Sequence, residues 1–151
     1  MDHTEVEILL VEDNPKDLML AMHAFRSLAN QIDVARDGQE ALDYLFCQGK
    51  YAQRSFENPP RLVLLDLKLP LIDGLEVLRA VKGDSRTKSI PVVIMTSSKE
   101  ERDLVESYRL GVNAYIQKPV DFDQFKQIVD QIGLFWLVVN QPPPPASFAS
   151  E

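Results

Sequence analysis

Four short apolar segments of this chain are each followed by polar side chains of the kinds that bind metal ions or phosphate. The polar residues and the segments before them are Glu12 and Asp13 after 6–11, Asp66 after 61–65, Thr96 after 91–95, and Lys118 after 114–117. If these segments are neighbouring parallel strands, their carboxyl ends meet at one edge of a sheet, where open α/β folds build their sites. The sequence therefore predicts carboxylates, a hydroxyl and a lysine gathered at that edge.

Helical patterns alternate with these apolar segments along the chain. Their apolar residues recur at intervals of three and four positions, which is typical of helices that pack on one face. The predicted helices are 14–28, one that Asp37 and Gly38 open, 74–81, 99–110 and 121–137, and a further strand is predicted at 32–35. Strict alternation of strands and helices predicts an α/β fold, a doubly wound parallel sheet with right-handed crossovers.

The length of 151 residues is typical of one domain with a substantial core. We assign residues 5–139 to that domain. Residues 140–151 include four consecutive prolines, which cannot continue a helix, so this segment is predicted to be an extended, disordered tail.

Charge and cysteine content restrict the possible partners and the compartment. The net charge of −7 argues against nucleic acid as a direct partner, because phosphate backbones attract basic surfaces. The single cysteine, Cys47, excludes an internal disulfide and is expected to be a buried or half-buried thiol. The acidic first residues are not a signal peptide, and the apolar run 134–139 is far shorter than the roughly 18 residues of a membrane span. We expect a cytoplasmic protein with no membrane partner.

The predicted carboxylate cluster suits Mg²⁺ and a phosphoryl group. Glu12, Asp13 and Asp66 would repel one another if they were crowded together without a cation. Mg²⁺ prefers such oxygen ligands and can bridge to a phosphoryl oxygen, which helps to neutralise charge during transfer. Asp66 ends the central predicted strand and is the best candidate nucleophile.

A cation and hydroxyl groups would complete the predicted site. Lys118 would be a fixed positive charge facing a phosphate oxygen, and Thr96 with Ser97 would donate hydroxyl hydrogen bonds. Each residue taken alone has an ordinary explanation as a helix cap, a turn former or a solvated surface residue. Their coincidence at the carboxyl ends of four predicted strands favours a functional interpretation.

The complete set of motifs resembles a known family. Glu12 and Asp13, Asp66 with the residues up to Pro70, Asp73 and Gly74, Thr96, and Lys118 with Pro119 are similar to the receiver domain of two-component response regulators. The resemblance covers residues 5–137, with the motifs in the family's order and spacing. It implies a flavodoxin-like (βα)₅ fold with strand order 2-1-3-4-5.

The resemblance also implies a metal site and a phosphoacceptor. It implies that Asp66 accepts a phosphoryl group from a histidine kinase and that Mg²⁺ is the cofactor. Asp13 and Asp66 would bind Mg²⁺ directly, Glu12 would contribute through water, and the backbone carbonyl of Lys68 would be a further ligand. Glu12 stands where Asp is more frequent in the family, and we expect metal binding to survive this exchange.

The remaining implied roles concern the response to phosphorylation. Lys118 would pair with the phosphoryl group, and its peptide bond to Pro119 would be cis. Thr96 and Tyr115 would be the switch pair, with Thr96 moving toward the phosphate and Tyr115 turning inward to fill the vacated space. The local change in charge would bias a bistable loop and helix.

A narrower resemblance concerns partners. The chain ends soon after residue 137, so we expect a stand-alone receiver that signals through protein–protein contacts and is not an enzyme acting on external substrates. The long loop 49–60 and the segment 120–136 resemble the small regulators paired with cyanobacterial phytochromes. That likeness implies a phytochrome-type, light-regulated histidine kinase as donor. It also implies homodimers formed through the fourth helix, the fifth strand and the fifth helix.

The sequence offers independent support for association. Phe135 and Trp136 are adjacent and so are expected on different sides of a helix, which makes the apolar end 134–139 apolar all round. An exposed apolar patch there would favour a partner, whereas the alternative is that this end packs on the domain's own core. Tyr115, Phe135 and Trp136 are the candidate residues of a homodimer interface.

Three other functions compete with the switch. A phosphatase of the haloacid dehalogenase type needs a second Asp two positions after its nucleophile, where this chain has Lys68. A flavodoxin-like FMN carrier needs a phosphate-binding loop after the first strand, where this chain has acidic residues. A binding module with a receiver fold that works without phosphorylation remains open, although the intact site residues argue against it.

Overall fold

Five parallel strands form one sheet in the computed structural model, which describes residues 7–26, 31–118 and 121–141. The strands are β1 (Glu7–Val11), β2 (Gln31–Ala35), β3 (Leu62–Leu65), β4 (Val92–Thr96) and β5 (Ala114–Gln117). Their order is β2-β1-β3-β4-β5, and every neighbouring pair is parallel. The predicted doubly wound, flavodoxin-like sheet with strand order 2-1-3-4-5 is confirmed.

A helix follows each strand, as the alternating pattern predicts. The helices are α1 (Pro15–Phe25), α2 (Gly38–Leu45), α3 (Gly74–Lys82), α4 (Glu101–Leu110) and α5 (Phe122–Gly133). Side chains of Asn14, Asp37 and Asp73 accept hydrogen bonds from backbone amides in the first turns of α1, α2 and α3. Gly111 ends α4 with φ of 100°, a left-handed conformation that glycine adopts without strain.

The sheet has an apolar layer on each face, because successive side chains of a strand point to opposite sides. One layer joins the sheet to α2 and α3, and the other joins it to α1 and α5. The first includes Leu9, Val11, Val63, Leu65, Tyr44, Val77 and Leu78, and the second includes Ile8, Leu10, Leu62, Leu64, Phe25, Phe125 and Val129. All four residues of β3 are buried, which fits its place at the centre of the sheet.

The end of the last helix differs from the prediction. The α-helix stops at Gly133 and continues as a π-helical segment, Leu134–Val139. Leu137 is buried in the layer that α1 and α5 share, and Trp136 packs against that layer. The domain's own core therefore takes up Leu137 and part of Trp136, which agrees for these two residues with the alternative in which this end packs on that core. Phe135 is 49% exposed.

The aromatic side chains of Phe135 and Trp136 lie close together. They touch edge to face with their centroids 5.1 Å apart, although the two residues are adjacent in sequence. Tyr115, the third candidate interface residue, is half-buried in β5.

Cys47 is half-buried, as predicted. The proline-rich tail lies mostly outside the described residues, from 142 onward.

No helix within the described ranges has the length and apolar character needed to cross a membrane.

Two glycines hold the loop that follows β3. The Gly74 amide donates to the Leu67 carbonyl at 2.7 Å, and a Cβ at Gly74 would overlap the backbone of Asp66 and Leu67. The Gly38 amide donates to the Pro70 carbonyl at 3.2 Å, and a Cβ there would overlap the Ile72 carbonyl. The first turns of α2 and α3 therefore pack directly on the backbone of this loop.

We expect Gly74→Ala to destabilise the fold by about 1–3 kcal/mol, because the added methyl group must displace the backbone of Asp66 and Leu67. Urea unfolding followed by circular dichroism measures the effect. Glu76→Ala in the same helical turn is the control. Glu76 makes only an exposed ion pair, so we expect its loss to change the free energy of unfolding by no more than about 0.5 kcal/mol. Equal stabilities for Gly74→Ala and the parent protein would contradict the close approach.

Candidate functional site

The carboxyl ends of β1 and β3 place two buried acidic residues side by side. The Asp66 amide donates to the Val11 carbonyl at 3.0 Å, and the Glu12 amide donates to the Ala35 carbonyl at 3.0 Å. These bonds extend the pairing of the sheet by one residue beyond each strand. Glu12 and Asp66 are 9% and 7% exposed, so both carboxyl groups lie at the edge of the apolar interior.

The three predicted carboxylates form one cluster. Glu12, Asp13 and Asp66 each place a carboxylate oxygen within 4.8 Å of the other two, with Asp13 exposed and the other two buried. Hard oxygen ligands at this spacing, with one side open to solvent, could hold a divalent cation such as Mg²⁺ that keeps part of its water shell. The donor set therefore fits the expected metal.

Lys118 reaches into this cluster from the end of β5. Its amide donates to the Thr96 carbonyl at 2.7 Å, which fixes its backbone against the end of β4. Its Nζ donates to Glu12 Oε1 at 2.7 Å, Asp17 Oδ2 at 2.8 Å and Asp66 Oδ2 at 3.2 Å. The lysine side chain is 10% exposed. The predicted pairing of a lysine with the acidic cluster is therefore present in the folded chain.

Crowding of charge changes the acidity of two groups in the cluster. Burial raises the pKa of the Glu12 carboxyl to about 7; the negative charge of Asp66 adds to this effect, while the hydrogen bond from Lys118 opposes it. Burial alone would lower the pKa of the Lys118 ammonium group. Its hydrogen bonds to Asp17 and Glu12 and the charge of Asp66 outweigh burial and raise that pKa.

The hydroxyl residues at the end of β4 and directly after it lie in different environments. Thr96 is fully buried, and its Oγ1 accepts a hydrogen bond from the Ser98 amide at 3.2 Å. Ser97 is exposed, whereas Ser98 is buried and its Oγ donates to Asp103 Oδ2 at 2.5 Å. Tyr115 places its hydroxyl in the interior; burial raises its pKa, and hydrogen bonding with the Ser98 side chain opposes this effect.

The loop after Asp66 contributes backbone groups. The Lys68 amide donates to Asp66 Oδ1 at 3.3 Å, while the Lys68 side chain is exposed. The predicted role of the Lys68 carbonyl as a metal ligand stays a prediction. The predicted cis bond between Lys118 and Pro119 lies outside the described residues, since these stop at 118 and resume at 121.

Two residues of the site were missed by the sequence analysis. Asp17 lies in the first turn of the helix that directly follows Glu12 and Asp13, and this proximity in the chain was the available signal. It was overlooked because acidic residues are common in the first turn of any helix. Ser98 was overlooked because nothing in the sequence indicates which of the two serines after Thr96 points inward.

The family of this fold and site is identified by comparison with known proteins. Residues 8–130 match the model of the response regulator receiver domain. The chain is 44% identical to "Probable methanogenesis regulatory protein FilR2" of Methanothrix harundinacea, over 92% of this chain and 88% of that protein. It is 40% identical to the response regulator Rcp1 of Synechocystis, over 86% of this chain and 88% of Rcp1.

Solved structures give the same result. The phosphorylated cyanobacterial phytochrome response regulator RcpA superposes with a TM-score of 0.87 at 42% identity, covering 92% of this chain and 99% of RcpA. The Mn²⁺-bound form of Rcp1 superposes with a TM-score of 0.85 at 37% identity, covering 91% of this chain and 99% of that chain. The chain belongs to the response regulator receiver domain family and is similar to regulators associated with phytochromes.

Proposed function

We propose that this chain is a signalling switch in which Asp66 accepts a phosphoryl group from a histidine kinase in a Mg²⁺-dependent reaction. The observation that carries the proposal is the environment of the Asp66 carboxylate. It is buried, it shares a cluster with Glu12 and Asp13, and its Oδ2 lies 3.2 Å from Lys118 Nζ. A nucleophilic carboxylate beside a metal-binding oxygen cluster and a fixed cation is an arrangement suited to phosphoryl transfer.

The transfer exchanges one bond to phosphorus for another. An Asp66 carboxylate oxygen attacks phosphorus and forms a P–O bond, while the bond from phosphorus to the imidazole nitrogen of the kinase's phosphohistidine breaks. The electron pair of that bond leaves with the nitrogen. Hydrolysis returns the switch to its unphosphorylated state. Water attacks phosphorus, the electron pair of the P–O bond to Asp66 returns to the carboxylate, and inorganic phosphate is released.

The residues of the chain have distinct tasks in this scheme. Asp13 and Asp66 would hold Mg²⁺ directly, with Glu12 contributing through water and the Lys68 carbonyl as a further ligand. The ion would supply positive charge that stabilises the transferring group. Lys118 offers a second positive charge to the phosphoryl group, and its burial makes that charge more effective than it would be in water.

The response to phosphorylation is assigned to Thr96, Ser97 and Tyr115. Thr96 lies at the end of β4, where its hydroxyl oxygen accepts from the Ser98 amide and its hydroxyl hydrogen could be donated to a phosphoryl oxygen. Tyr115 is half-buried in β5, the strand that pairs with β4, so movement of Thr96 toward the phosphate would leave space into which the tyrosine ring can turn. Movement of these residues would alter the surface formed by α4, β5 and α5.

We further propose a phytochrome-type histidine kinase as donor and a homodimer as the signalling assembly. The similarity to RcpA, a cyanobacterial phytochrome response regulator, and to Rcp1 supports the choice of kinase. Exposed apolar residues support association. Leu104, Val105 and Tyr108 on α4 are 38%, 52% and 55% exposed, and Phe135 beyond α5 is 49% exposed.

Acetyl phosphate with Mg²⁺ should add one phosphoryl group to the purified protein, because Asp66 needs only a donor and a metal ion to react. Intact-mass spectrometry measures the adduct. We expect none with Asp66→Asn, which keeps the shape of the side chain and removes the nucleophile, and none in the presence of a chelator. A wild-type protein that stays unmodified while a known receiver reacts would favour a binding module that works without phosphorylation.

The affinity for Mg²⁺ should rise about tenfold between pH 6 and pH 8, because Glu12, with its pKa raised to about 7, must lose its proton to support the cation. Isothermal titration calorimetry measures the affinity, and repeating it in buffers of different ionisation enthalpy detects the released proton. In Glu12→Gln the dependence on pH over this range should largely disappear. An unchanged pH profile in that variant would assign the proton to another group.

Phe135→Glu should weaken self-association by about tenfold or more, because it places a charge in the proposed apolar contact. Sedimentation velocity over a range of concentrations measures the monomer–dimer equilibrium. Met19→Glu is the matched control, since Met19 is an apolar residue that is 69% exposed on α1, a helix that is not part of the proposed α4–β5–α5 face. A wild-type protein that remains monomeric at all concentrations, with and without phosphorylation, would exclude the homodimer.

A further inference from the structure

Asp17 contacts the proposed phosphorylation site from outside the sheet. It is the third residue of α1, and its Oδ2 lies 2.8 Å from Lys118 Nζ, 101 positions further along the chain. Its side chain is 23% exposed. Neither metal binding nor phosphoryl transfer, as proposed above, uses this carboxylate.

The three hydrogens of the Lys118 ammonium group match its three partners. Nζ donates to Glu12, Asp17 and Asp66 at 2.7, 2.8 and 3.2 Å. Two of these partners change during the proposed reaction, because Glu12 contributes to metal binding and Asp66 becomes an acyl phosphate. Asp17 is the partner whose charge and bonding the reaction leaves unchanged.

We propose that Asp17 is a positioning residue that holds the Lys118 ammonium group in place while Glu12 and Asp66 engage the metal ion and the phosphoryl group. The inference rests on the proposed function. It adds a residue that touches neither the metal nor the phosphoryl group and acts on the reaction through the lysine.

The start of α1 gives the Asp17 carboxylate a defined position. The Asn14 side chain accepts hydrogen bonds from the amides of Lys16 and Asp17 at 2.9 and 3.2 Å, and Pro15 opens the helix. Both features fix the backbone of the first turn. A carboxylate there also interacts favourably with the positive end of the helix dipole. The lysine therefore has a partner fixed to a rigid helix.

Few other groups could replace Asp17 as a partner for the lysine. Glu12, Asp17, Asp66 and Lys118 line a cavity of about 20 Å³ whose other walls include Leu18 and Phe125. A cavity of this size has room for about one water molecule. Loss of the Asp17 carboxylate would leave one ammonium hydrogen with water as its partner in place of a fixed carboxylate, and the lysine would adopt other conformations.

The test separates the rate of phosphorylation from the requirement for metal. With acetyl phosphate at saturating Mg²⁺, we expect Asp17→Ala to be phosphorylated about tenfold more slowly than the wild type, comparable to the loss of a group that orients a metal ligand. Asp17→Asn should lose less, because its amide oxygen still accepts from Lys118. The Mg²⁺ concentration at half-maximal rate should stay within about twofold of wild type in both variants. In Asp13→Asn that concentration should increase.

A double-mutant cycle tests whether Asp17 acts through the lysine. In a Lys118→Met background, Asp17→Ala should change the rate by less than about twofold, because the group it positions is gone. Asp123→Asn, which removes a charge from the first turn of α5, controls for net charge and should leave the rate unchanged. Thermal unfolding of each variant verifies the fold, and the isosteric Asp17→Asn provides the comparison if Asp17→Ala does not fold.

Several results would overturn the inference. A wild-type rate in both Asp17 variants would show that the lysine needs no anchor. A faster rate would show that Asp17 competes with the phosphoryl group for Lys118. An equal loss in the Lys118→Met background would place the effect of Asp17 elsewhere. If the wild-type protein itself takes up no phosphoryl group, the proposed function fails, and this inference fails with it.

Discussion

One ammonium group joins the parts of this fold that carry the chemistry. Lys118 Nζ bonds to carboxylates at the ends of β1 and β3 and in the first turn of α1, which are 106, 52 and 101 positions away in the chain. Without it, Glu12, Asp13, Asp17 and Asp66 would bring four negative charges together at one edge of the sheet. The arrangement of the site, and its capacity for a divalent cation, depends on this balance of charge.

The position of Asp66 depends on backbone packing as well as on charge. Gly74 and Gly38 bring the first turns of α3 and α2 against the loop after β3, where side chains would not fit. Two hydrogen bonds then hold Asp66. Its backbone amide donates to the Val11 carbonyl, and its side chain accepts from the Lys68 amide. The proposed nucleophile is therefore held in place by glycine packing and backbone hydrogen bonds, which take no part in the phosphoryl chemistry itself.

The parallel sheet and most of the site could be predicted from patterns in the sequence. Apolar segments ending in Glu12, Asp66, Thr96 and Lys118 define both the strands and the edge where their side chains meet. Asp17 could not be predicted in the same way, because helix capping already explains an acid in a first turn. The direction of Leu137 could not be predicted either, since a wholly apolar segment has no periodicity to show which side is buried.

The helix α4 buries fewer of its described residues than α1 and α3 do. Ser107 is its only buried residue among those described, whereas α1 and α3 bury four residues each. Little apolar surface would be exposed if α4 shifted or frayed, so its local opening has a small free-energy cost compared with global unfolding. A modest local perturbation at the end of β4 can therefore change the conformational ensemble of this helix while the rest of the domain keeps its structure.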